Sequence, residues 1–136
     1  MSKDRKLKMN RNKTEKRSFH NLVNLLDAEL LVNGKNSRKT LRSVISSDLI
    51  SDILMYIEEN SLLLTGLVNP QIIRVADMID IGGIIFVVGK EPDEEVLNMA
   101  EEKNVPVAIT ESTLYEASGK LYRVGLKPCE YSGNCE

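Results

Sequence analysis

The chain has 136 residues and a formal net charge of −2, a length typical of one globular domain. Apolar residues make up 42% of it and charged residues 28%, and no apolar run approaches the roughly 20 residues that cross a bilayer. Two cysteines, one histidine and no signal-peptide pattern predict a cytoplasmic protein without a metal site, a catalytic set or a membrane segment.

Residues 1–17 form a basic arm, which we predict to be disordered. Eight lysines or arginines and two acids give the arm a charge of +6, so the remaining residues carry −8. The arm is either a solubilising tail or a contact for nucleic acid or an acidic partner. The chain has no Trp, two Phe and four Tyr, and this scarcity of base-stacking side chains favours the tail.

The predicted elements begin after the arm with a helix that runs into a strand and ends at the Asn33-Gly34 turn. A short strand follows over residues 41–46. Ser47 and Asp48 then stand where caps of an amphipathic helix would be expected. Asp48 and Asp52, four residues apart, would share one face of that helix.

From residue 61 onwards, strands and helices alternate regularly. Asn69 is the predicted cap of one helix with Pro70 as its first residue, and Pro92 is the predicted first residue of the next. The strands are continuously apolar, which indicates that both faces of the sheet are covered. The sequence therefore predicts an α/β fold of three layers, α/β/α, with a mostly parallel sheet and right-handed crossovers.

We place the domain at residues 18–126 and a flexible tail at residues 127–136. The tail holds Cys129 and Cys135, predicted to be exposed thiols that play no part in the fold. A disulfide within the tail, or a metal clip between molecules, is the alternative.

The stretch GGIIFVVGKEPDEEVL, residues 82–97, raises the question of a phosphate-binding loop. A Walker loop needs a Ser or Thr after Gly-Lys to bind magnesium, and here Glu91 follows Lys90. Further acids crowd the start of the next helix, where they would repel an anion. We therefore interpret Gly89-Lys90 as a turn.

The carboxyl ends of the strands are the predicted ligand site, because open α/β sheets bind ligands there. The helix after Asn69 has no acid in its first turn, so its amide groups could hold a phosphate or carboxylate. In the alternative interpretation these polar residues only cap helices. The candidate ligand-binding residues are Thr65, Gly66, Asn69, Gly89, Thr110, Glu111 and Ser112.

The stretch from NPQIIRVADMID to GKLYRVGL resembles a DRTGG-type domain, which is similar to the N-terminal domain of HPr kinase/phosphorylase. The resemblance extends over about residues 19–126. The family's Asp-Arg would fall near residues 67–69, where this chain has Leu-Val-Asn, and its Thr-Gly-Gly near residues 87–90, where the chain has Val-Val-Gly-Lys. The kinase domain of the HPr enzyme is a separate unit, so the resemblance implies no kinase activity.

The resemblance implies a non-catalytic regulatory module that senses a ligand or binds a protein, acts as a homodimer and serves a metabolic system. No cofactor is predicted; a nucleotide or phosphorylated metabolite is the ligand considered. Two alternatives remain. One is an enzyme acting on such a substrate, with Glu111 or Asp48 as its base. The other is a nucleic-acid-associated regulator that uses the basic arm.

Overall fold

The computed structural model describes residues 17–34 and 39–130. The arm up to residue 16 and Cys135 therefore lie outside the described residues. The elements of the described part are α1 (Phe19–Leu25), β1 (Glu29–Val32), β2 (Ser43–Ser46), α2 (Ile50–Tyr56), β3 (Ser61–Thr65), α3 (Pro70–Ile79), β4 (Gly83–Phe86), α4 (Glu94–Glu102), β5 (Val107–Ile109), α5 (Leu114–Arg123) and β6 (Lys127–Pro128). Among these helices, none is long and apolar enough to span a bilayer.

The six strands form one sheet in the order β1-β5-β4-β3-β2-β6. Only β1 is antiparallel to its neighbour, so the prediction of a mostly parallel sheet is confirmed. The chain moves in one direction from β2 to β5 and then returns to β6 beside β2. The helices α2, α3 and α4, which connect β2 to β5, lie on one face of the sheet, and α5, which connects β5 back to β6, lies on the other. Because the direction of travel and the face both change, the crossover connections keep the same handedness.

Two apolar clusters, one on each face of the sheet, confirm the three-layer architecture. On the first face α2, α3 and α4 pack against side chains such as Leu63 and Ile84. On the second face α1 and α5 pack against Leu62, Leu64 and Ile85. Successive strand residues point to opposite faces, so each continuously apolar strand contributes to both cores.

Two predicted helix starts are wrong by a few residues. The N-cap of α2 is Leu49, which makes no side-chain cap, and Asp48 precedes the helix instead of sharing a face with Asp52. The N-cap of α4 is Asp93, whose carboxylate accepts a hydrogen bond from the Val96 amide at 3.1 Å. Pro92 thus lies before this helix, because Asp93, the next residue, supplies the side-chain cap for an amide of the first turn.

The tail predicted to begin at residue 127 is part of the fold up to residue 130. The strand β6 pairs in parallel with β2, and the Cys129 amide donates to the Val44 carbonyl at 2.9 Å. Cys129 is 8% exposed, so the prediction of an exposed thiol at this position is wrong. A strand of two residues has too weak a sequence pattern to be recognised, and its pairing with β2 is a tertiary effect.

Candidate functional site

The parallel strands β2, β3, β4 and β5 end at the same edge of the sheet, where the loops that follow them meet. These loops supply Asp48 after β2, Gly66 after β3, Gly89 and Lys90 after β4, and Glu111 after β5. We call these five residues the strand-end site. Open α/β sheets bind ligands in this position, so the architecture directs attention to it.

Asp48 and Lys90 both lie close to Gly66. One carboxylate oxygen of Asp48 accepts hydrogen bonds from the Gly66 amide at 2.6 Å and from the Thr65 hydroxyl at 3.2 Å. A Cβ atom added to Gly66 would lie 3.5 Å from the same oxygen and 3.6 Å from Cδ of Lys90. The sequence interpretation treated Asp48 as a helix cap, or as the base of the enzyme alternative, and left Lys90 out of the site. Asp48 follows β2 and Lys90 follows β4, and this position after a parallel strand was the sequence signal that could have placed both residues in the site.

Glu111 covers Gly89 in the neighbouring loop. A Cβ atom on Gly89 would lie 2.7 Å from a carboxylate oxygen of Glu111. The backbone ties the same two loops together, because the Gly89 amide donates to the Thr110 carbonyl at 2.8 Å and the Val88 amide to the Ser112 carbonyl at 2.9 Å. The loops after β4 and β5 are therefore one unit.

The hydroxyl groups of Thr65 and Thr110 hold loops in place. Both side chains are almost fully buried. Besides donating to Asp48, Thr65 accepts from the Leu67 amide at 3.0 Å. Thr110 donates to the Leu26 carbonyl at 2.9 Å and accepts from the Ser112 amide at 3.2 Å. Of the predicted ligand-binding residues, these two thus fix the backbone instead of presenting a hydroxyl to a ligand.

Asn69 is the N-cap of α3, as predicted, and its side-chain oxygen accepts from the Ile72 amide at 3.1 Å. The first turn of α3 contains no acid. In contrast, α2 has Asp52 there, α4 has Glu94 and Glu95, and α5 has Glu116. Of the helices that begin at this edge, α3 is the one whose positive end no carboxylate of its own first turn neutralises.

Glu116 shows how the other helix starts are satisfied. Its carboxylate accepts from the Thr113 amide at 3.0 Å and from the Thr113 hydroxyl at 3.2 Å, and that hydroxyl in turn accepts from the Glu116 amide at 3.1 Å. These hydrogen bonds to the ionised form, from the backbone first and the hydroxyl second, lower the pKa of Glu116 below its ordinary value. The start of α5 is thereby closed to a further anion.

The strand-end site contains a strained turn over residues 87–90. The φ angles of Val88 and Gly89 are 58° and 62°, and the Lys90 amide donates to the Val87 carbonyl at 3.2 Å. Positive φ at both central residues is the pattern of a type I′ turn, which favours Gly and Asn. The predicted Gly-Lys turn is thus confirmed.

Replacing Val88 by glycine should stabilise the protein. A β-branched residue at positive φ costs about 1–2 kcal/mol, and the entropy of glycine in the unfolded chain offsets part of that gain. We expect Val88→Gly to raise the free energy of unfolding by about 1 kcal/mol, measured by urea denaturation. Val124, with φ of −87°, is the matched control. At this ordinary φ angle valine carries no strain, so Val124→Gly should lower the free energy of unfolding. A destabilised Val88→Gly variant would show that the turn carries no strain.

Among residues 17–34 and 39–130, no group of three or more His, Cys, Asp or Glu side chains is arranged to hold a metal ion. The chemistry available at the strand-end site is therefore that of one ammonium group, two carboxylates and the amides at the start of α3.

Comparison with known proteins places the fold. The structure resembles that of the CBS and DRTGG domains from the regulatory region of a Clostridium perfringens pyrophosphatase, complexed with its activator diadenosine tetraphosphate. The TM-score is 0.65 and the identity 18%, over 90% of this chain and 55% of that chain. This protein thus spans little more than half of the pyrophosphatase region, and at that identity the likeness shows the fold alone.

No curated protein sequence matches the chain. The family model of the DRTGG domain matches residues 21–124, which is most of the chain and includes every residue of the strand-end site. The protein therefore belongs to the DRTGG domain family.

Proposed function

We propose that the protein is a non-catalytic regulatory module of the cytoplasm that senses a nucleotide or phosphorylated metabolite at the strand-end site. In this proposal the bound state is passed to a partner protein of a metabolic system. Membership of the DRTGG family supports a regulatory role. The pyrophosphatase region of the same fold is a regulatory region complexed with a nucleotide activator, which supports a nucleotide as the ligand.

The observation that carries the proposal is that Asp48 and Lys90 both lie close to Gly66. An exposed lysine is a binding group for phosphate. Carboxylates at strand ends accept hydrogen bonds from the ribose hydroxyls of nucleotides, a role open to Asp48 and Glu111. The start of α3 offers amides for a second phosphate contact. One edge thus combines the groups that a sugar phosphate requires.

The surrounding acids limit where a phosphate would lie. Glu91, Glu94 and Glu95 are exposed on the α4 side of the site and would repel a polyanion. The phosphates are therefore expected beside Lys90 and α3, away from α4. A magnesium ion bound to the nucleotide would reduce the repulsion, so ligand binding should be measured with and without Mg²⁺.

The absence of catalysis is proposed because the groups at this edge are committed to structure. The Thr65 and Thr110 hydroxyls are buried and have protein partners, and one of the two carboxylate oxygens of Asp48 already accepts two hydrogen bonds. Exposed Glu111 is the remaining candidate for a general base. Hydrolysis of a bound nucleotide that is lost in Glu111→Gln would contradict this part of the proposal.

We also expect the module to act as a homodimer. Three apolar side chains are exposed at the N-cap of α2 and within this helix: Leu49 is 57% exposed, Leu54 50% and Met55 47%. Large apolar side chains that stay exposed are candidates for burial against a partner. Light scattering of the purified protein tests the expectation, and a monomeric mass at all accessible concentrations would contradict it.

The test of ligand sensing is thermal unfolding with AMP, ATP and diadenosine tetraphosphate, each with and without Mg²⁺. A ligand at 100 times its dissociation constant adds about 2.7 kcal/mol, which should raise the melting temperature by roughly 8 °C. Lys90→Met keeps the aliphatic stem and removes the charge, so it should weaken binding at least tenfold, or about 1.4 kcal/mol.

Lys103→Met is the matched control, because Lys103 lies at the far end of α4 in an ion pair with Asp77 at 3.8 Å. Binding should be unchanged in this variant. If none of the three nucleotides raises the melting temperature, with or without Mg²⁺, the proposal that the ligand is a nucleotide is wrong. Equal loss of binding in both lysine variants would mean that the ligand responds to overall charge and does not occupy the strand-end site.

A further inference from the structure

A groove of about 450 Å³ lies on the sheet face opposite α2, α3 and α4. It runs between α5 and the strands β2 and β6, and we call it the tyrosine groove. The strand-end site shares none of its residues, so the groove is a separate surface. Most of its lining is apolar or aromatic, and the main residues are Val44, Tyr115, Leu121, Tyr122, Leu126 and Pro128.

Two tyrosine rings stand open at this groove. Tyr115 is 88% exposed and Tyr122 is 76% exposed. They are seven residues apart on α5, which places them on the same side of the helix and about 10 Å apart along its axis. Between them a Cβ atom on Gly119 would meet no atom within 4 Å. Tyrosine is enriched at the centre of protein interfaces, because its ring buries a large apolar area and has few rotatable bonds. The groove therefore has the composition of a protein-binding surface.

Basic side chains border the groove at its Tyr122 end. Lys127 lines the groove itself, and Arg123 follows Tyr122 in the last turn of α5. Ser43 pairs with Lys127 in the sheet, which brings the exposed Arg42 close to Lys127. Positive charge from two strands and one helix thus meets at this end.

Arg17 adds a further positive charge at the same end. Its guanidinium donates from Nη2 to the carbonyl of Gly125, which lies between Arg123 and Lys127 in the chain, at 3.0 Å. Residues 17–34 and 39–130 contain nine basic and 17 acidic residues, a formal charge of −8. Four of the nine basic residues are nevertheless gathered here: Arg17, Arg42, Arg123 and Lys127.

Two acids lie near the groove without lining it. Glu116 is in the first turn of α5, at the opposite end, where its carboxylate caps the helix. Glu130 comes two residues after Pro128, where the chain leaves β6 and the Glu130 amide donates to Glu58. The Tyr122 end of the groove therefore carries a positive charge on an acidic protein surface.

The other end of the groove lies next to the strand-end site. Ser46 ends β2 and lines the groove, and its hydroxyl lies 2.7 Å from the hydroxyl of Ser118 on α5. Asp48 of the strand-end site follows two residues later. The residue between them is held by its amide, since Ser47 donates to the Leu64 carbonyl at 3.1 Å. A partner in the groove would thus lie next to the loop that carries Asp48.

We infer that the tyrosine groove binds an acidic segment of a partner protein and seats one large apolar side chain of that segment. The inference deepens the proposed function and rests on it, because this partner is the protein to which the ligand-bound state is passed. The apolar walls and the two rings would bury the apolar side chain. The basic end would face the carboxylates of the segment and fix its direction along the groove.

The charge of the described part favours an acidic partner. An acidic segment is repelled by most of a surface whose formal charge is −8 and is attracted at the basic end of the groove. A basic segment would instead be attracted to the many acidic faces outside the groove. Repulsion elsewhere and attraction at one place together give specificity.

The test is selection from a phage-displayed library of random peptides of about 12 residues, the length of roughly three helical turns. The library is first depleted on the Tyr115→Ala/Tyr122→Ala variant, which keeps every charged residue of the full chain. Peptides attracted by charge alone are removed at this step. Selection on the wild-type chain should then enrich peptides that have more Asp and Glu than Lys and Arg and that contain a large apolar residue.

Fluorescence anisotropy then measures the affinity of the enriched peptides for further variants. Tyr122→Ala should weaken binding at least about tenfold, because it removes one of the two rings. Arg123→Gln combined with Lys127→Gln should also weaken binding and reduce its dependence on salt concentration, because the charges that salt screens are gone. All three side chains are exposed, so thermal unfolding should be unchanged.

Met78→Ala and Lys90→Met are the controls, and without nucleotide both should bind the enriched peptides like the wild type. Met78 is 69% exposed on α3, on the other face of the sheet. Lys90 belongs to the strand-end site, so Lys90→Met should lose nucleotide binding and keep peptide binding. Failure of nucleotide sensing is therefore distinguishable from failure of the groove.

Four outcomes would overturn the inference. If the selection enriches no peptide, or only peptides without an excess of acids, the groove does not recognise an acidic segment. If labelled oligouridine binds as tightly as the peptides and loses affinity in Tyr122→Ala, the groove is a site for single-stranded nucleic acid. If Tyr122→Ala lowers the mass measured by light scattering, the groove is occupied by a second copy of the chain.

Discussion

Gly83→Ala should lower the free energy of unfolding by about 3 kcal/mol, because the added methyl group would overlap the ring of Phe19. Gly83 begins β4, and Phe19 is completely buried against it. The ring cannot move away, since its own helix is packed on the sheet by Leu22 and Leu26. Urea denaturation measures the loss, and the melting temperature should fall by roughly 10 °C.

A double-mutant cycle identifies the cause. Phe19→Leu vacates the space that the methyl group needs, so the double variant should be more stable than the sum of the two single effects predicts, by at least about 0.5 kcal/mol. Gly119→Ala is the matched control, because its Cβ atom meets nothing and helix propensity favours alanine by about 1 kcal/mol. Strict additivity in the cycle would show that Phe19 does not restrict Gly83.

Glu58→Ala should lower the free energy of unfolding by about 2 kcal/mol, because one carboxylate joins β2 to the residues that follow its neighbour β6. Glu58 accepts from the Ser43 hydroxyl at 2.8 Å and from the Glu130 amide at 3.0 Å. Ser43 uses its proton for Glu58, so at 3.3 Å it accepts from the Cys129 thiol. Loss of the carboxylate thus releases both β6 and the partner of Cys129.

The reactivity of Cys129 provides the second measurement. Burial, the largest cause, raises the pKa of the Cys129 thiol above its ordinary value of 9.0, so the thiol should react slowly with alkylating reagents. In a Cys135→Ser background, Glu58→Ala should accelerate that reaction as β6 detaches. Glu58→Gln retains an acceptor and should show a smaller effect in both measurements. Unchanged alkylation in Glu58→Ala would mean that β6 is held by its pairing with β2 alone.

Much of the central sheet could be predicted because its signals are local. Long apolar runs alternate with amphipathic segments, and each strand contacts helices on both faces, so periodicity alone identifies the layers. Asn69 and Pro70 mark the start of α3 by residue type, since cap and first-turn geometry depend on neighbouring backbone groups. The Gly89-Lys90 turn was recognisable for the same reason.

The roles of several polar residues could not be predicted, because their partners are distant in the sequence. Asp48 looked like a helix cap, but the Gly66 amide 18 residues later is its partner. Thr110 looked like a ligand contact, but its hydroxyl is used by the Leu26 carbonyl, 84 residues earlier. A short polar side chain at a strand end can serve either purpose, and only the packing of the loops decides which.

The sequence by itself determined the layered α/β architecture, the mostly parallel arrangement of the strands and the resemblance to the DRTGG family. These features depend on periodicity and local motifs. Only the tertiary structure decided that β6 returns beside β2 and buries Cys129, that Lys90 lies next to Gly66, and that the Arg17 guanidinium donates to the Gly125 carbonyl. The physical reason is that a contact between distant segments has no local sequence signal. Many side chains could make it, and the packing of the whole sheet determines which segments come close enough to do so.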